Sequence, residues 1–418
     1  MPYHVLVLGA TGFTGKLTVR NLNAHPERAR FGLAIAGRSQ KKLEQVKLEL
    51  GLGSDVGSFV VDVHDYASVE AIATQARVII NAIGPYWKTA DLVVRACALH
   101  GVHYLDLSGE PHFVRNIIQR YDYQAYKSNA VIIPSCGFDS VPADVSVYLA
   151  NKTAKSVLGL SAGIDDSTSA YRFDAGLSGG TVMSIISWFE DPPRSILYES
   201  LKDFSFREFK GLLSDPQKVI YKIPLDGRTW YGGRFPTCVE NRLVVQHTWS
   251  LFKRSQDRHP EKVYGDGFKY NEILPVPDPF RALLITLVYY TTVAALLFPP
   301  TRWLLKHVLP QPGTGPTSNK GFFNLTNISH SGSSTIRTVL KADGEPGYFG
   351  AARMISEASL SLALDFDKLP YKQVGGGGVL TPMSALGDVY IERMKKYAGL
   401  EIESEVVDDK LEESRKRR

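Results

Sequence analysis

Cysteine is scarce in this chain. Cys97, Cys136 and Cys238 are the only three, an odd number with no C-x-x-C pair. That argues against a disulfide framework and a zinc site, and for a reducing compartment. No H-E-x-x-H stretch or carboxylate–histidine cluster suggests a metal. The nearest approach to a G-x-S-x-G nucleophile site, Ser331-Gly332-Ser333, does not match it. Charge of one sign is also lacking: the net charge is +5 over 418 residues. So small an excess gives no reason to expect nucleic acid as a partner, though it suits an anionic cofactor or an anionic membrane surface. No secretory signal is visible, since the first apolar run reads as a strand, and no repeat of fixed period is seen. What is present, 44% hydrophobic and 22% charged residues, describes a globular protein long enough for two domains.

The N-terminal run Val5-Leu6-Val7-Leu8 leads into Gly9-Ala10-Thr11-Gly12-Phe13-Thr14-Gly15 and then a helical pattern. Strand, glycine turn and helix form the context of a dinucleotide fingerprint. Gly9 suits the tight turn, Gly12 the close approach of a pyrophosphate, and Gly15 the packing of helix on strand. The helix N-terminus offers unpaired N–H groups to that anion. A second strand over residues 31–36 ends in Gly37-Arg38 rather than in the acid that binds a ribose 2′-hydroxyl. An arginine there suits a 2′-phosphate, so the expected cofactor is NADP(H). Lys41 and Lys42 read as a solvated helix face.

Further strands are expected over residues 58–63, 78–82, 102–107 and 131–135, alternating with helices. This βαβ order predicts a doubly wound parallel sheet, an α/β Rossmann domain over residues 1–150. Cofactors lie across the carboxyl ends of such strands. That edge holds Asp62, placed to accept from the adenine amine. It also holds Asn81 and Gly84 beside the nicotinamide half, then Asp106, Ser108, Glu110 and Asp139. Reduction also needs a proton donor. Tyr86 and Asp139, then His112, are the catalytic candidates, each with a structural role as its alternative. Tyr123 and Lys127 imitate the Y-x-x-x-K of an extended short-chain dehydrogenase, but little room precedes them for the elements of that fold.

After residue 151 the period changes. Strands are expected over 157–164, 219–223, 242–246 and 335–341, giving an α+β domain over 151–345 for substrate or dimerisation. Helices over 346–418 then return to the first domain and end in a charged tail from 408. Ser178-Gly179-Gly180-Thr181 reads either as a helix start aimed at the cleft or as a simple cap. Residues 282–298 carry no charge over 17 positions, flanked by Arg281 and Arg302. A spanning helix needs ~20 apolar residues. The segment therefore reads as an interfacial helix on a membrane or lipid-droplet surface, with a buried core helix and a true span as alternatives.

The blocks GATGFTG, AGRS, NAIGPYW at 81–87, YLDLSGE at 104–110, CGFDSVPAD at 136–144, SGGT at 178–181, DGEPGYFGAARMISE at 343–357 and LTPMSALGD at 380–388 together resemble the saccharopine dehydrogenase-like oxidoreductases, which include trans-acting enoyl reductases. The resemblance spans nearly the whole chain. It implies a Rossmann domain, a second α+β domain inserted before C-terminal helices, NADP(H) use, and, for eukaryotic relatives, association with lipid droplets or membranes. The expected function is NADPH-dependent reduction of a C=C, C=N or C=O bond in a lipid-like or polyketide-like substrate. The protein would work on the cytoplasmic side of a membrane or droplet, with a homodimer an open question. The alternative from another class is a lipid-surface protein that binds NADP(H) without turning it over.

Overall fold

A computed structural model describes residues 1–206, 209–215, 218–225 and 228–407. The charged tail expected from residue 408 lies outside the described residues. In chain order the strands are β1 (Tyr3–Leu8), β2 (Leu33–Gly37), β3 (Gly57–Val60), β4 (Ala76–Asn81), β5 (His103–Asp106), β6 (Val131–Ile133) and β7 (Asp166–Asp174). They continue with β8 (Tyr221–Leu225), β9 (Arg228–Arg234), β10 (Lys269–Val276), β11 (Phe322–Ser331), β12 (Ser334–Asp343), β13 (Gly378–Val379) and β14 (Glu401–Val407).

The first sheet has the order β13-β6-β5-β4-β1-β2-β3, with every neighbour parallel. Its central strands are short and largely apolar because both faces are covered. β1 and β2 hold Val5, Leu6, Val7, Leu8, Leu33, Ala34, Ile35 and Ala36, all without exposed surface. Helices Tyr66–Ala73, Asp91–His100 and Pro111–Ser128 contribute to the core on one face. Helix Phe13–Asn23 contributes to the other core, and helix Ala351–Leu364 lies against it and against β1, β4 and β5. Ala351, Ala352, Ser356, Ala358 and Ser359 keep that last helix thin enough for close packing. β1 sits between β2 and β4, so the chain reverses direction across the sheet there and opens a crevice at the carboxyl ends of β1 and β4.

The second sheet has the order β14-β12-β11-β7-β10-β9-β8 and is antiparallel except for the β7–β10 pair. Two long buried helices, Ser140–Leu158 and Cys238–Arg254, pack on each other, and both pack on this sheet. Two expected strands are corrected. Residues 157–164 are the end of helix Ser140–Leu158 and the turn after it. Residues 242–246 lie inside helix Cys238–Arg254, where Leu243, Val244 and Val245 are all buried. A short apolar run buried on all sides has no period with which to separate helix from strand.

Candidate active site

At the glycine turn each glycine meets a different constraint. Gly9 has φ +84°, and a Cβ there would lie 2.7 Å from Ile83. A Cβ on Gly15 would lie 2.1 Å from the Gly9 carbonyl oxygen, so helix Phe13–Asn23 is seated on the turn itself. Gly12 is the least crowded, its nearest neighbour being the Gly9 oxygen at 3.3 Å. The helix that follows has no side-chain cap and no acid in its first turn, which leaves its first N–H groups facing outward. Thr11 and Phe13 flank Gly12 and are partly exposed. This cradle fits a dinucleotide pyrophosphate.

Arg38 follows β2 and is exposed. Ser39 caps the next helix, its Oγ accepting from the Lys42 N–H, so the backbone that carries Arg38 is fixed. No acidic side chain stands at that strand end. Asp62, two residues past β3, is exposed, and its Oδ1 accepts from the His64 N–H.

Past β4 the expected contacts separate. Gly84 is exposed, and a Cβ there would lie 3.2 Å from Ser184 Oγ of helix Gly179–Glu190. Asn81 is instead turned inward. Its Nδ2 donates to Tyr104 Oη at 3.2 Å and its Oδ1 accepts from the Ile83 N–H, so it shapes the turn from within. Tyr86 is buried in the core, its hydroxyl facing the Asn81 carbonyl and accepting from the Leu107 N–H. Burial and the nearby Asp106 hold that phenol well above its usual range. The structure therefore removes Tyr86 from the proton-donor candidates. Ser178 caps helix Gly179–Glu190, its Oγ accepting from the Thr181 N–H, while Tyr348 Oη accepts from the Ser178 N–H at 2.7 Å. Tyr123 is exposed, near the C-terminal end of helix Pro111–Ser128, with Lys127 Nζ 5.5 Å over its ring. That end of the helix leads to the start of β6, so the Y-x-x-x-K pair stands away from the cofactor edge.

Asp139 is different. Every residue from 130 to 148 is buried except this one. It follows β6 at the carboxyl edge of the sheet and starts helix Ser140–Leu158 without capping it. The residue keeps exposed surface, while the protein around it raises its carboxyl to about 6 by desolvation. Beside it, Ser135 has a left-handed backbone, φ +57°, which a non-glycine residue adopts at a cost. The Ser135 N–H donates to Asp106 Oδ1 at 2.9 Å and its hydroxyl donates to Glu240 Oε1 at 3.1 Å. Asp106 also accepts from Tyr104 Oη at 2.8 Å and from the Ser108 N–H. Glu110 accepts from the N–H groups of Tyr86 and Trp87 at 2.8 and 2.9 Å and so fastens the turn after β4. Burial lifts Asp106 to about 6 and Glu110 to about 7.

His112 stands next to Glu110, Nε2 3.6 Å from Oε2. It has no exposed surface, neither ring nitrogen has a hydrogen-bond partner, and burial lowers it to about 4. It is a neutral imidazole between Trp87 and Trp188, behind the cleft wall rather than on it. Sequence reading missed Ser135, Ser184 and Glu240. Only Ser135 lay next to a quoted block, and Glu240 was hidden in the helix read as a strand.

The comparisons with known proteins bear on the family and the fold. Residues 5–133 match the family model for the saccharopine dehydrogenase NADP binding domain. A Mycobacterium tuberculosis protein provisionally named a trans-acting enoyl reductase is 31% identical, over 94% of this chain and 95% of that one. The chain belongs to the saccharopine dehydrogenase-like oxidoreductases. It is an NADP-dependent oxidoreductase whose N-terminal domain is the family's NADP-binding domain. The trans-acting enoyl reductase of Mycobacterium bovis is 29% identical over the same shares of each chain. Among solved structures, apo saccharopine dehydrogenase (L-Glu forming) from Saccharomyces cerevisiae aligns with 97% of this chain and 100% of that one. Its TM-score is 0.50 at 13% identity, a likeness of fold.

Proposed function

We propose that this member of the family is an enoyl reductase that saturates a C=C bond conjugated to a carbonyl, in a lipid-like or polyketide-like acyl substrate. The accessible, proton-holding carboxyl of Asp139 in an otherwise buried block carries this reading. The relatives named trans-acting enoyl reductases support the choice of a C=C over a C=N or C=O bond.

Gly9, Thr11, Gly12, Phe13 and Gly15 would hold the pyrophosphate of NADPH, and Arg38 its 2′-phosphate. Asp62 stands on the adenine side, and Gly84 is the backbone approach at the nicotinamide end. Held there, NADPH would supply the hydride for the β-carbon of the substrate. Asp139 then delivers the proton to the α-carbon, and a carboxyl poised at about 6 is protonated often enough near neutral pH to do so. The buried carboxyls Asp106 and Glu110 fasten the loops after β5 and β6 and the turn after β4 through backbone N–H groups.

The same reading sets the enzyme at a lipid surface. Helices Pro279–Leu297 and Pro299–Val308, with Phe298 between them, expose Phe280, Leu283, Leu284, Leu287, Val288, Leu297, Trp303, Leu304 and Val308 as well as Phe298 itself. An apolar exposure so concentrated suits insertion into one leaflet. One face of the longer helix is fastened to β9, with Ile285 against Gly233 and Thr286 Oγ1 accepting from the Arg234 N–H. That attachment favours lying in the interface over spanning it.

The test is NADPH oxidation with an α,β-unsaturated acyl thioester, wild type against Asp139→Asn. Wild type should consume NADPH, and the variant should lose about 10²–10⁴ in kcat with unchanged NADPH affinity. Equal rates would remove Asp139 as the acid. Selective NADPH binding with no consumption by any enoyl substrate would overturn the enoyl reading.

A further inference from the structure

The second domain sends one carboxyl into the cofactor edge, and the mechanism above does not use it. Glu240 lies in the first turn of helix Cys238–Arg254 and is 3% exposed. Its Oε1 accepts the Ser135 hydroxyl, and its Oε2 lies 3.0 Å from where a Cβ on Gly109 would stand. It therefore touches the loops after β5 and β6 together.

The groups facing it are almost all acids. Asp106 and Glu110 approach from the end of β5, and Asp139 from the end of β6. Glu272 of β10 is one residue removed, held by Asn241 Nδ2 at 3.0 Å. On its own helix Arg242 is engaged elsewhere, Nε 2.8 Å from Asp203 Oδ1. Among the described residues no lysine or arginine pairs with Asp106, Glu110, Asp139 or Glu240, and no three of the acids are arranged to hold a metal ion. Carboxyls crowded without cations cannot all ionise, so they share protons. The base that borders them on the Glu110 side is the His112 imidazole, buried with both nitrogens unpartnered.

We propose that Glu240 is a positioning residue for proton delivery: it stays protonated at neutral pH, and its proton and that of Asp139 are coupled. When Asp139 gives its proton to the substrate and becomes a carboxylate, the new charge holds the Glu240 proton in place. The remaining negative charge then sits at the accessible position, where water can re-protonate it. Ser135, in its strained conformation, fixes the Glu240 carboxyl beside Asp106. This inference rests on the role given to Asp139 above.

Infrared pH titration of the full-length protein tests it without turnover. Wild type should show a protonated-carboxyl C=O band that persists above pH 7 and is missing in Glu240→Gln. In Asp139→Asn the same band should titrate at a lower pH. Absence of a band that depends on Glu240, or an identical titration in Asp139→Asn, would overturn the proposal. In turnover with NADPH and an enoyl thioester, Glu240→Gln should lose at least tenfold in kcat with unchanged NADPH affinity. Glu240→Asp should recover part of that loss. Lost NADPH affinity in Glu240→Gln would mean a structural role and overturn it as well. If wild type turns over no enoyl substrate, the enoyl reading fails, while the infrared arms still decide whether Glu240 holds the coupled proton.

Discussion

Arg38 stands at the end of β2, where the residue type decides which dinucleotide is preferred. Its guanidinium can fork onto a 2′-phosphate, and no acid stands there to receive a ribose hydroxyl. Arg38→Ala should weaken NADPH about tenfold or more in calorimetry and leave NADH nearly unchanged; equal losses for both would show that the side chain does not read the phosphate. Residues of this kind were legible because their environment is local. Three glycines, a strand and a helix lie within twenty positions, and each glycine meets a constraint that the spacing already implies. Tyr86 and Asn81 were not legible in the same way. Both lie at the correct edge, but whether a side chain turns outward or into the core depends on neighbours such as Tyr104 of β5 and Leu107 just after it. Glu240 was out of reach, because a residue a hundred positions away from Ser135 becomes its partner only through the fold.

Elements were legible where they had a period or a cap. The βαβ alternation and the helices Gln40–Glu49 and Gly387–Tyr397 carry one buried face and one exposed. Helix Cys238–Arg254 is buried on nearly all sides, and its apolar run carries no period to read. Helix Pro279–Leu297 is the reverse case: apolar all round, yet buried along only one side, at Ala282, Thr286 and Leu296. Leu284, Leu287 and Val288 share the opposite side at helical spacing and are 50–56% exposed. Each would recover about 1 kcal/mol on leaving water, together about a hundredfold in partition. The triple variant Leu284→Ser, Leu287→Ser, Val288→Ser should therefore stay folded, bind NADPH as before, and lose most of its sedimentation with anionic phospholipid vesicles. Loss of the folded state instead would assign those side chains to a core, and unchanged sedimentation would assign the lipid surface to another part of the molecule.

The two sheets meet around an unusual store of buried acid, and that store governs how the whole molecule responds to pH. Asp106, Glu110, Asp144 and Glu272 are raised by burial to about 6, 7, 7 and 8, although Tyr270 and Asn241 donate to Glu272 and Thr248 to Asp144. Each folded carboxyl binds its proton more tightly than the unfolded chain does. The stability this gives is full below the unfolded value and falls as pH rises toward the folded value. His103 and His112 are lowered by burial to about 4 and work in the opposite sense, adding stability as pH rises from about 4 to their unfolded value of 6.5. The two effects oppose each other below pH 6.5. Above it the histidines lose their remaining unfolded-state charge within about one pH unit, and Glu110, Asp144 and Glu272, which outnumber them, remain to titrate. Tm at constant ionic strength should thus fall from about pH 6.5 to 8, each titrating group contributing at most about 1.4 kcal/mol per pH unit. Glu272→Gln, which keeps an acceptor for Tyr270 and Asn241 but cannot ionise, should flatten that decline. A Tm that rises over this interval, or a Glu272→Gln slope equal to that of wild type, would mean that these carboxyls are already ionised in the folded protein and that the acid store is held by cations instead of protons.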